Sequence, residues 1–151
     1  MKQPVAVLIA TCAAGLAVSH AQQAVTLEAL LAAPFPSEIA AAPTGDRVAW
    51  VLNTKGSRNV WMAASPDFAG HQATSFSGDD GQDITSLTWS TDGKALVFIR
   101  GGGPNRQGEI PNPSLAPDGA EQAIWAVDVA AGTPRKLTTG PGNDRLPDWK
   151  P

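Results

Sequence analysis

Short apolar runs separated by turn residues dominate the chain after residue 36. Two of these runs, RVAWVL (47–52) and ALVFIR (95–100), each follow a turn that contains glycine. In ALVFI the residues on both faces of an extended strand are apolar, which predicts a strand buried on both sides. The Asp92-Gly93 pair before it predicts a tight hairpin. Glycine accepts a positive φ, and an aspartate side chain accepts a hydrogen bond from the backbone two residues on.

These runs are parts of an internal repeat. RVAWVL aligns with ALVFIR at a shift of 48 residues when Gly45 is placed on Gly93. Trp61 aligns with Trp125 at a shift of 64, so the second copy carries about 16 extra residues, within the Gly/Pro-rich stretch 101–119. Such a long loop projects from one face of a fold and often carries contacts. Its length raises the hypothesis that it lines a channel or touches another domain.

The period of the repeat predicts the fold class. A unit of about 48 residues with roughly four strands is typical of a β-propeller blade. We therefore predict an all-β fold, a partial β-propeller, with blades at about 37–86 and 87–145 and a third that begins at 146, where Trp149 repeats Trp89. About four blades are the minimum for a closed ring. We expect the chain to be a piece of a longer protein, the alternative being a ring assembled from several chains.

The N-terminus predicts a secretory signal peptide over residues 1–21. Lys2 precedes the apolar run 5–18, and Ser-His-Ala supplies small residues for cleavage after Ala21. The run is shorter than the roughly 20 residues of a membrane-spanning helix, so we expect export to the periplasm or the exterior without a stable membrane anchor. The only cysteine, Cys12, lies inside this run, and the mature chain therefore has no disulfide bond.

Residues 22–36 predict a short helix and a linker. Thr26 is the expected N-cap, and Pro34 and Pro36 are expected to stop the helix. The whole chain carries 11 basic and 14 acidic residues without a basic stripe, so nucleic acid is not an expected partner.

Few residues are candidates for catalysis or metal binding. The G-x-S-x-G pattern of a serine hydrolase is absent, and His71, the only histidine after the predicted cleavage site, has no marked partner, which predicts an exposed loop or strand-edge residue. Asp79, Asp80 and Asp83 in GDDGQD lack EF-hand spacing and predict a solvated loop between blades. The stretch GGGPNRQG (101–108) lacks a Lys-Ser/Thr pair and a following helix, so it predicts an insertion and not a phosphate-binding loop. We predict no catalytic, cofactor-binding or metal-binding residue, and no cofactor.

The aromatic residues have a structural explanation. All five tryptophans fall at repeat-equivalent strand positions, which predicts packing within and between blades; they are Trp50, Trp61, Trp89, Trp125 and Trp149. Asp128, inside IWAVDV, is predicted at the end of a strand, in the turn before AAGTP.

The stretch LTWSTDGKALVFIRGG followed by IWAVDVAAGTPRKLTTG resembles the propeller repeats of two groups. One is the periplasmic propeller protein of the Tol system. The other is the N-terminal propeller of the prolyl oligopeptidase family, which includes dipeptidyl peptidase IV-like and acylaminoacyl peptidase-like enzymes. The repeat alone does not separate the two groups. The opening VTLEALLAAPFPSEI, through residue 63, looks like the start of secreted bacterial peptidases of that family, and SGDDGQDITSLTWSTDG (77–93) looks like the connector between their first two blades.

The peptidase resemblance implies a missing C-terminal α/β-hydrolase domain that carries a Ser, Asp and His triad. None of the 151 residues matches that active site, so no catalytic residue is carried over. The implied function is the N-terminal propeller of a secreted serine peptidase, in which the propeller controls the access of peptide substrates. The alternative is a non-enzymatic Tol-type binding scaffold in the periplasm. A third possibility is a short protein whose two blades pair with a partner.

Overall fold

A computed structural model describes residues 25–113, 115 and 121–138. The predicted signal peptide, Cys12, Trp149 and the predicted third repeat lie outside these residues. The elements in chain order are α1 (Leu27–Leu31), β1 (Phe35–Ala41), β2 (Arg47–Thr54), β3 (Ser57–Ala64), β4 (His71–Gln72), β5 (Ile84–Trp89), β6 (Ala95–Arg100), β7 (Ala123–Asp128) and β8 (Pro134–Lys136).

Helix α1 begins where the sequence predicts. The Thr26 hydroxyl accepts a hydrogen bond from the Ala29 N–H at 3.1 Å, which satisfies one of the free donors of the first turn. The helix ends at Leu31, and none of its residues is buried. Strand β1 already begins at Phe35, so Pro36 lies within a strand and not in the linker. Proline is tolerated there because β1 is the edge strand of its sheet.

The strands form two four-stranded antiparallel sheets, β1-β2-β3-β4 and β5-β6-β7-β8, each in sequence order. We call them blade 1 and blade 2. Most contacts between strands of the two blades join their first strands, β1 and β5. Two meanders that converge at their first strands are successive blades of a partial β-propeller, so the predicted all-β fold class is confirmed.

The strand register confirms the repeat. Trp50 pairs with Trp61 across β2 and β3, and Phe98 pairs with Trp125 across β6 and β7. These are the pairs expected if Trp50 is equivalent to Phe98 and Trp61 to Trp125. The extra residues of blade 2 therefore lie between β6 and β7 and leave the register of the pair unchanged.

The core fills the space between the blades. Blade 1 contributes small and medium side chains, and blade 2 contributes larger ones, so the two surfaces interdigitate; the buried members include Ala49, Val51, Val60, Met62, Leu87, Trp89, Leu96, Phe98 and Val127. Strand β6 is buried on both faces from Leu96 to Ile99, as its apolar run predicts.

The first strand of each blade carries a bulge at the same repeat position. The register of β1 shifts between Ser37 and Ala40, and that of β5 shifts between Thr85 and Thr88. Glu38 has φ 52° and Ser86 has φ 55°, a left-handed conformation that costs free energy for a residue with a side chain. Because this left-handed residue occurs at the same position in both blades, we infer that it is a regular feature of the blade. No helix among the described residues is long and apolar enough to cross a membrane.

Candidate functional site

The contact surface between the two blades contains hydrogen bonds and a cation–π contact made by side chains. The indole N–H of Trp89, at the end of β5, donates to the carbonyl oxygen of Ala40 in β1 at 3.0 Å. Nearby, the backbone N–H of Leu87 donates to Glu38 Oε2 at 3.3 Å. The bulge in β5 releases this N–H from its own ladder, so the carboxylate of the bulge in β1 satisfies a donor freed by the bulge in β5.

Arg47 joins the other end of the contact surface. Its Nη1 donates to the carbonyl oxygen of Gly93 at 2.9 Å, and its guanidinium carbon lies 5.3 Å from the centroid of the Trp89 ring. Gly93 has φ 66°, and a β-carbon on it would lie 3.0 Å from Arg47 Nη2. The positive φ of the turn therefore favours glycine here, and a β-carbon would also press against the end of the arginine side chain.

In each of the two turns that precede β2 and β6, a hydroxyl group lowers the pKa of an aspartate two residues further on. Asp92 accepts from the Ser90 hydroxyl at 2.7 Å and from the Lys94 N–H at 3.0 Å. The Ser90 hydrogen bond is the main cause that lowers the pKa of Asp92 below its ordinary value of 3.8. In blade 1 the Thr44 hydroxyl donates to Asp46 at 2.7 Å and is the main cause of the lowered pKa of that carboxyl.

A buried asparagine fixes the chain as it leaves β4. The side-chain oxygen of Asn59 accepts from the Phe76 N–H at 2.8 Å and from the Thr74 hydroxyl at 2.9 Å. Its Nδ2 donates to the carbonyl oxygen of Phe76 at 2.9 Å and to Ser57 Oγ at 3.2 Å. The Asn59 amide thus holds both backbone groups of Phe76. Asn59 itself is only 6% exposed.

Phe76 inserts between the blades as a wedge. Its ring meets Phe98 edge-on at 6.3 Å and Trp125 at 5.6 Å, with interplanar angles of 79° and 88°. The Arg100 guanidinium lies over the same ring at 4.3 Å from its centroid. Edge-to-face contacts of this kind favour one orientation of the ring beyond simple burial.

The acidic loop 78–83 is held by two arginines. Arg58 pairs with Asp83 at 3.1 Å and with Asp79 at 3.5 Å, and Arg100 pairs with Asp80. Asp79 and Asp80 also accept backbone hydrogen bonds two residues on, which agrees with the predicted loop. Within the part of the chain that the structure describes, no three potential ligand side chains come together to hold a metal ion.

The other sequence candidates stay apart. His71 lies exposed in the two-residue strand β4 at the outer end of blade 1, as expected for a strand-edge residue. Asp128 accepts from the Ala130 and Ala131 N–H groups at the end of β7, in the predicted turn. The described residues therefore offer no histidine beside a nucleophile.

The stretch 101–113 forms no helix, and it folds back on the loop between the blades. Asn105 closes its tip by five hydrogen bonds within residues 105–109. A β-carbon on Gly81 would lie 2.5 Å from Pro113 Cβ, so the insertion packs directly on the acidic loop. Two ordered loops thus meet at one end of the contact surface.

A cleft of about 270 Å³ opens beside the first strands. Phe35, Glu38 and Asn53 line it from blade 1, and Asp83 and Thr85 line it from blade 2. Arg58 also reaches it, and its positive charge is already paired with carboxylates. The lining of the cleft is mixed and includes the Ser37 hydroxyl and the carboxylates of Glu38 and Asp83.

Sequence reasoning missed Glu38, Arg47 and Phe76, which contact the next blade, and Asn59, which holds Phe76 in place. Asn59 could have been noticed as a polar residue in the apolar strand stretch NVWMA. Arg47 directly follows a repeat turn. Glu38 and Phe76 carried no local signal, because their partners lie in the next blade.

Comparison with known proteins found likeness only among solved structures. No family model and no curated protein sequence matches the chain. The β-propeller domain of the Trilobed protease from Pyrococcus furiosus matches at 16% identity over 68% of this chain, with a TM-score of 0.45. TolB from Acinetobacter baumannii matches at 17% over 73%, with a TM-score of 0.48. Acylaminoacyl peptidase of Pyrococcus horikoshii matches at 14% over 64%, with a TM-score of 0.44.

These matches span only part of the other proteins. The aligned region covers 28% of the Trilobed protease domain, 23% of TolB and 16% of the acylaminoacyl peptidase. The set contains both peptidase propellers and a Tol protein, the two groups that the sequence resembles.

Proposed function

We propose that this chain is the N-terminal propeller portion of a secreted serine peptidase of the prolyl oligopeptidase family. In the intact enzyme the propeller restricts access, so that peptides and flexible chains reach a triad on a separate α/β-hydrolase domain. The reaction is acyl transfer to water through a serine nucleophile, a histidine base and an oxyanion hole, all supplied by that domain.

One observation carries the peptidase proposal over the alternatives. A leucine-rich helix stands directly before the first blade, as in the peptidase openings that the sequence resembles. Leu27, Leu30 and Leu31 are 62–73% exposed in α1. Such a helix is explained if it packs on another domain, since exposed apolar patches mark interaction sites.

Export from the cytoplasm is part of the proposal. The test is to express the chain in a bacterial host, fractionate the cells, and determine the N-terminus by mass spectrometry. A periplasmic product that begins at Gln22 supports export and cleavage after Ala21. A cytoplasmic product that keeps Met1 contradicts it.

The peptidase assignment is tested by reading the gene beyond codon 151. Further blades followed by a G-x-S-x-G elbow and later Asp and His codons support it. The encoded longer protein should then label with a fluorophosphonate probe, and its elbow Ser→Ala variant should not. The 151-residue chain itself should remain unlabelled.

A Tol-type binding scaffold is the competing function. It predicts a reading frame that continues with blades and contains no hydrolase elbow. A stop codon directly after codon 151 would contradict both and would leave the short protein that pairs with a partner.

A further inference from the structure

The outward face of blade 1 is a copy of a face that is already covered in blade 2. Residues alternate between the two faces of a strand. In β2, Ala49 and Val51 point into the core between the blades, so Val48, Trp50 and Leu52 lie on the opposite face. At the shift of 48 residues, Val48 and Trp50 are equivalent to Leu96 and Phe98 of blade 2.

The two copies differ in burial. Leu96 and Phe98 are 0% exposed, because blade 1 and its Phe76 wedge cover them. Val48 and Trp50 remain partly exposed. The Trp50 and Trp61 rings stack at 6.5 Å with an interplanar angle of 25°, and Gly70 lies against the edge of Trp50.

We propose that the Trp50–Trp61 pair is the docking site for an aromatic wedge equivalent to Phe76, delivered by the chain that leaves the fourth strand of another blade. The covered pair Phe98–Trp125 is the template for this contact. Its wedge is presented edge-on by a backbone that the Asn59 amide clamps.

The charge on the two faces defines the partner more narrowly. Arg100 of blade 2 lies over the ring of the wedge, Phe76, and pairs with Asp80 in the connector that follows Phe76. Its equivalent in blade 1 is Leu52, which offers no positive charge. We therefore expect the connector that docks on blade 1 to carry an uncharged residue at the position equivalent to Asp80.

A second copy of this chain is a poor occupant. Phe76 already packs against Phe98 and Trp125 of its own blade 2. Strand register places Gln72 opposite Trp61 and Lys136 opposite Trp125, a shift of 64, so the position equivalent to Phe76 in blade 2 is Gly140. Glycine has no ring to insert. The occupant is a different blade of this repeat type, and this holds for a peptidase or for a Tol-type propeller.

The test adds one blade to the full chain. Residues 37–86 are duplicated ahead of blade 1, so that the added Phe76 can reach Trp50. The matched control carries Phe76→Ala in the added copy only. The residue observed is Trp50 of the original blade 1, and not the copy in the added blade. We expect the phenylalanine tandem to shift its indole N–H signal upfield and to reduce its quenching by acrylamide several-fold relative to the control. Identical Trp50 signals in the two tandems would overturn the proposal.

The charge argument has its own variant. Asp80→Asn in the added copy should increase the protection of Trp50 further, because Leu52 cannot pair with the carboxylate. A loss of protection would overturn the stated chemistry of the partner. Sedimentation of the unmodified chain should show no dimer in which Trp50 is protected, and such a dimer would make a second copy the occupant.

A further measurement does not require the added blade to fold. Leu52→Cys in a Cys12→Ser background is modified with a benzyl or a methyl thiosulfonate. The benzyl adduct should raise Tm by about 4 °C over the methyl adduct, on the order expected for one aromatic contact in a small domain. Equal Tm values would contradict an aromatic docking site. These results do not depend on the peptidase assignment, so the two proposals fail separately.

Discussion

The indole N–H of Trp89 and the carbonyl oxygen of Ala40, 3.0 Å apart, connect the two blades by a direct hydrogen bond. Trp89 is 5% exposed, and its ring also carries the Arg47 guanidinium. One residue therefore combines burial, a hydrogen bond and a cation–π contact at the contact surface. Its substitution tests how strongly the blades depend on each other.

Trp89→Phe should lower the free energy of unfolding by about 1–2 kcal/mol. The phenyl ring keeps most of the apolar contact, and the carbonyl oxygen of Ala40 loses its donor. Urea denaturation followed by circular dichroism measures the change. Trp50→Phe is the control, because Trp50 is partly exposed and its indole N–H makes no hydrogen bond within the described part of the chain. An equal loss in both variants would contradict a special role for the Trp89 N–H.

Gly93→Ala should destabilise the protein more than Gly45→Ala. Both glycines have a positive φ, 66° and 76°, so an alanine at either position costs about 1 kcal/mol of backbone strain. A β-carbon at Gly93 also meets Arg47 Nη2 at 3.0 Å, whereas Gly45 has nothing within 4 Å. Thermal unfolding of the two variants gives the difference directly. Arg47→Met should remove that difference, and a difference that persists would place its cause elsewhere.

Asn59→Ala should cost about 2–4 kcal/mol, at the high end for a single substitution. The variant leaves the Phe76 N–H and the Thr74 hydroxyl without their acceptor in a part-buried site, and the Phe76 carbonyl oxygen keeps only the Ser57 hydroxyl as a donor. Ser75→Ala, at an exposed neighbouring position, is the control and should change little. Scanning calorimetry measures both. A small effect at Asn59 would mean that water replaces the amide.

Thr44→Ala should raise the pKa of Asp46 toward 3.8, because the Thr44 hydroxyl is the main group that lowers it. Thr44→Ser keeps the hydroxyl and should keep the low pKa. A carbon-detected NMR titration of the Asp46 carboxyl measures both variants. The same pKa in all three proteins would show that another group holds the carboxylate.

The lowered pKa values also set the direction of the pH dependence. The folded-state pKa values of Asp46 and Asp92 lie below the ordinary 3.8 of an unfolded chain. Their ionised forms therefore stabilise the fold above about that pH, and this contribution is lost as pH falls through the folded-state values. Asp92→Asn should flatten the fall of Tm below pH 4, and an unchanged slope would contradict the assignment.

The sequence predicted the features that repeat along the chain. Gly45 and Gly93 mark the turns, and the alignment of Trp50 with Phe98 and of Trp61 with Trp125 reproduces the observed cross-strand pairs. These signals are local, because turn chemistry and strand burial depend on neighbouring residues. The same local signals identified Thr26 as the helix cap.

The contacts between blades were not predictable in the same way. Glu38 reaches the N–H of Leu87 only because each blade contains a bulge, and no glycine marks either bulge. Phe76 follows the polar stretch HQATS, and its role depends on an asparagine 17 residues earlier. The acidic residues of the loop were correctly placed on a turn, but their arginine partners come from two different strands.

The hydrogen bonds that link the first strands and the turns of the two blades join residues separated by 46 or 49 positions. For these contacts, a newly made blade finds its docking partner in the segment synthesised just before it. Structure can accumulate in the order of translation, with each blade serving as the template for its successor. In an exported protein this would let assembly proceed as the polypeptide emerges from the secretion pore.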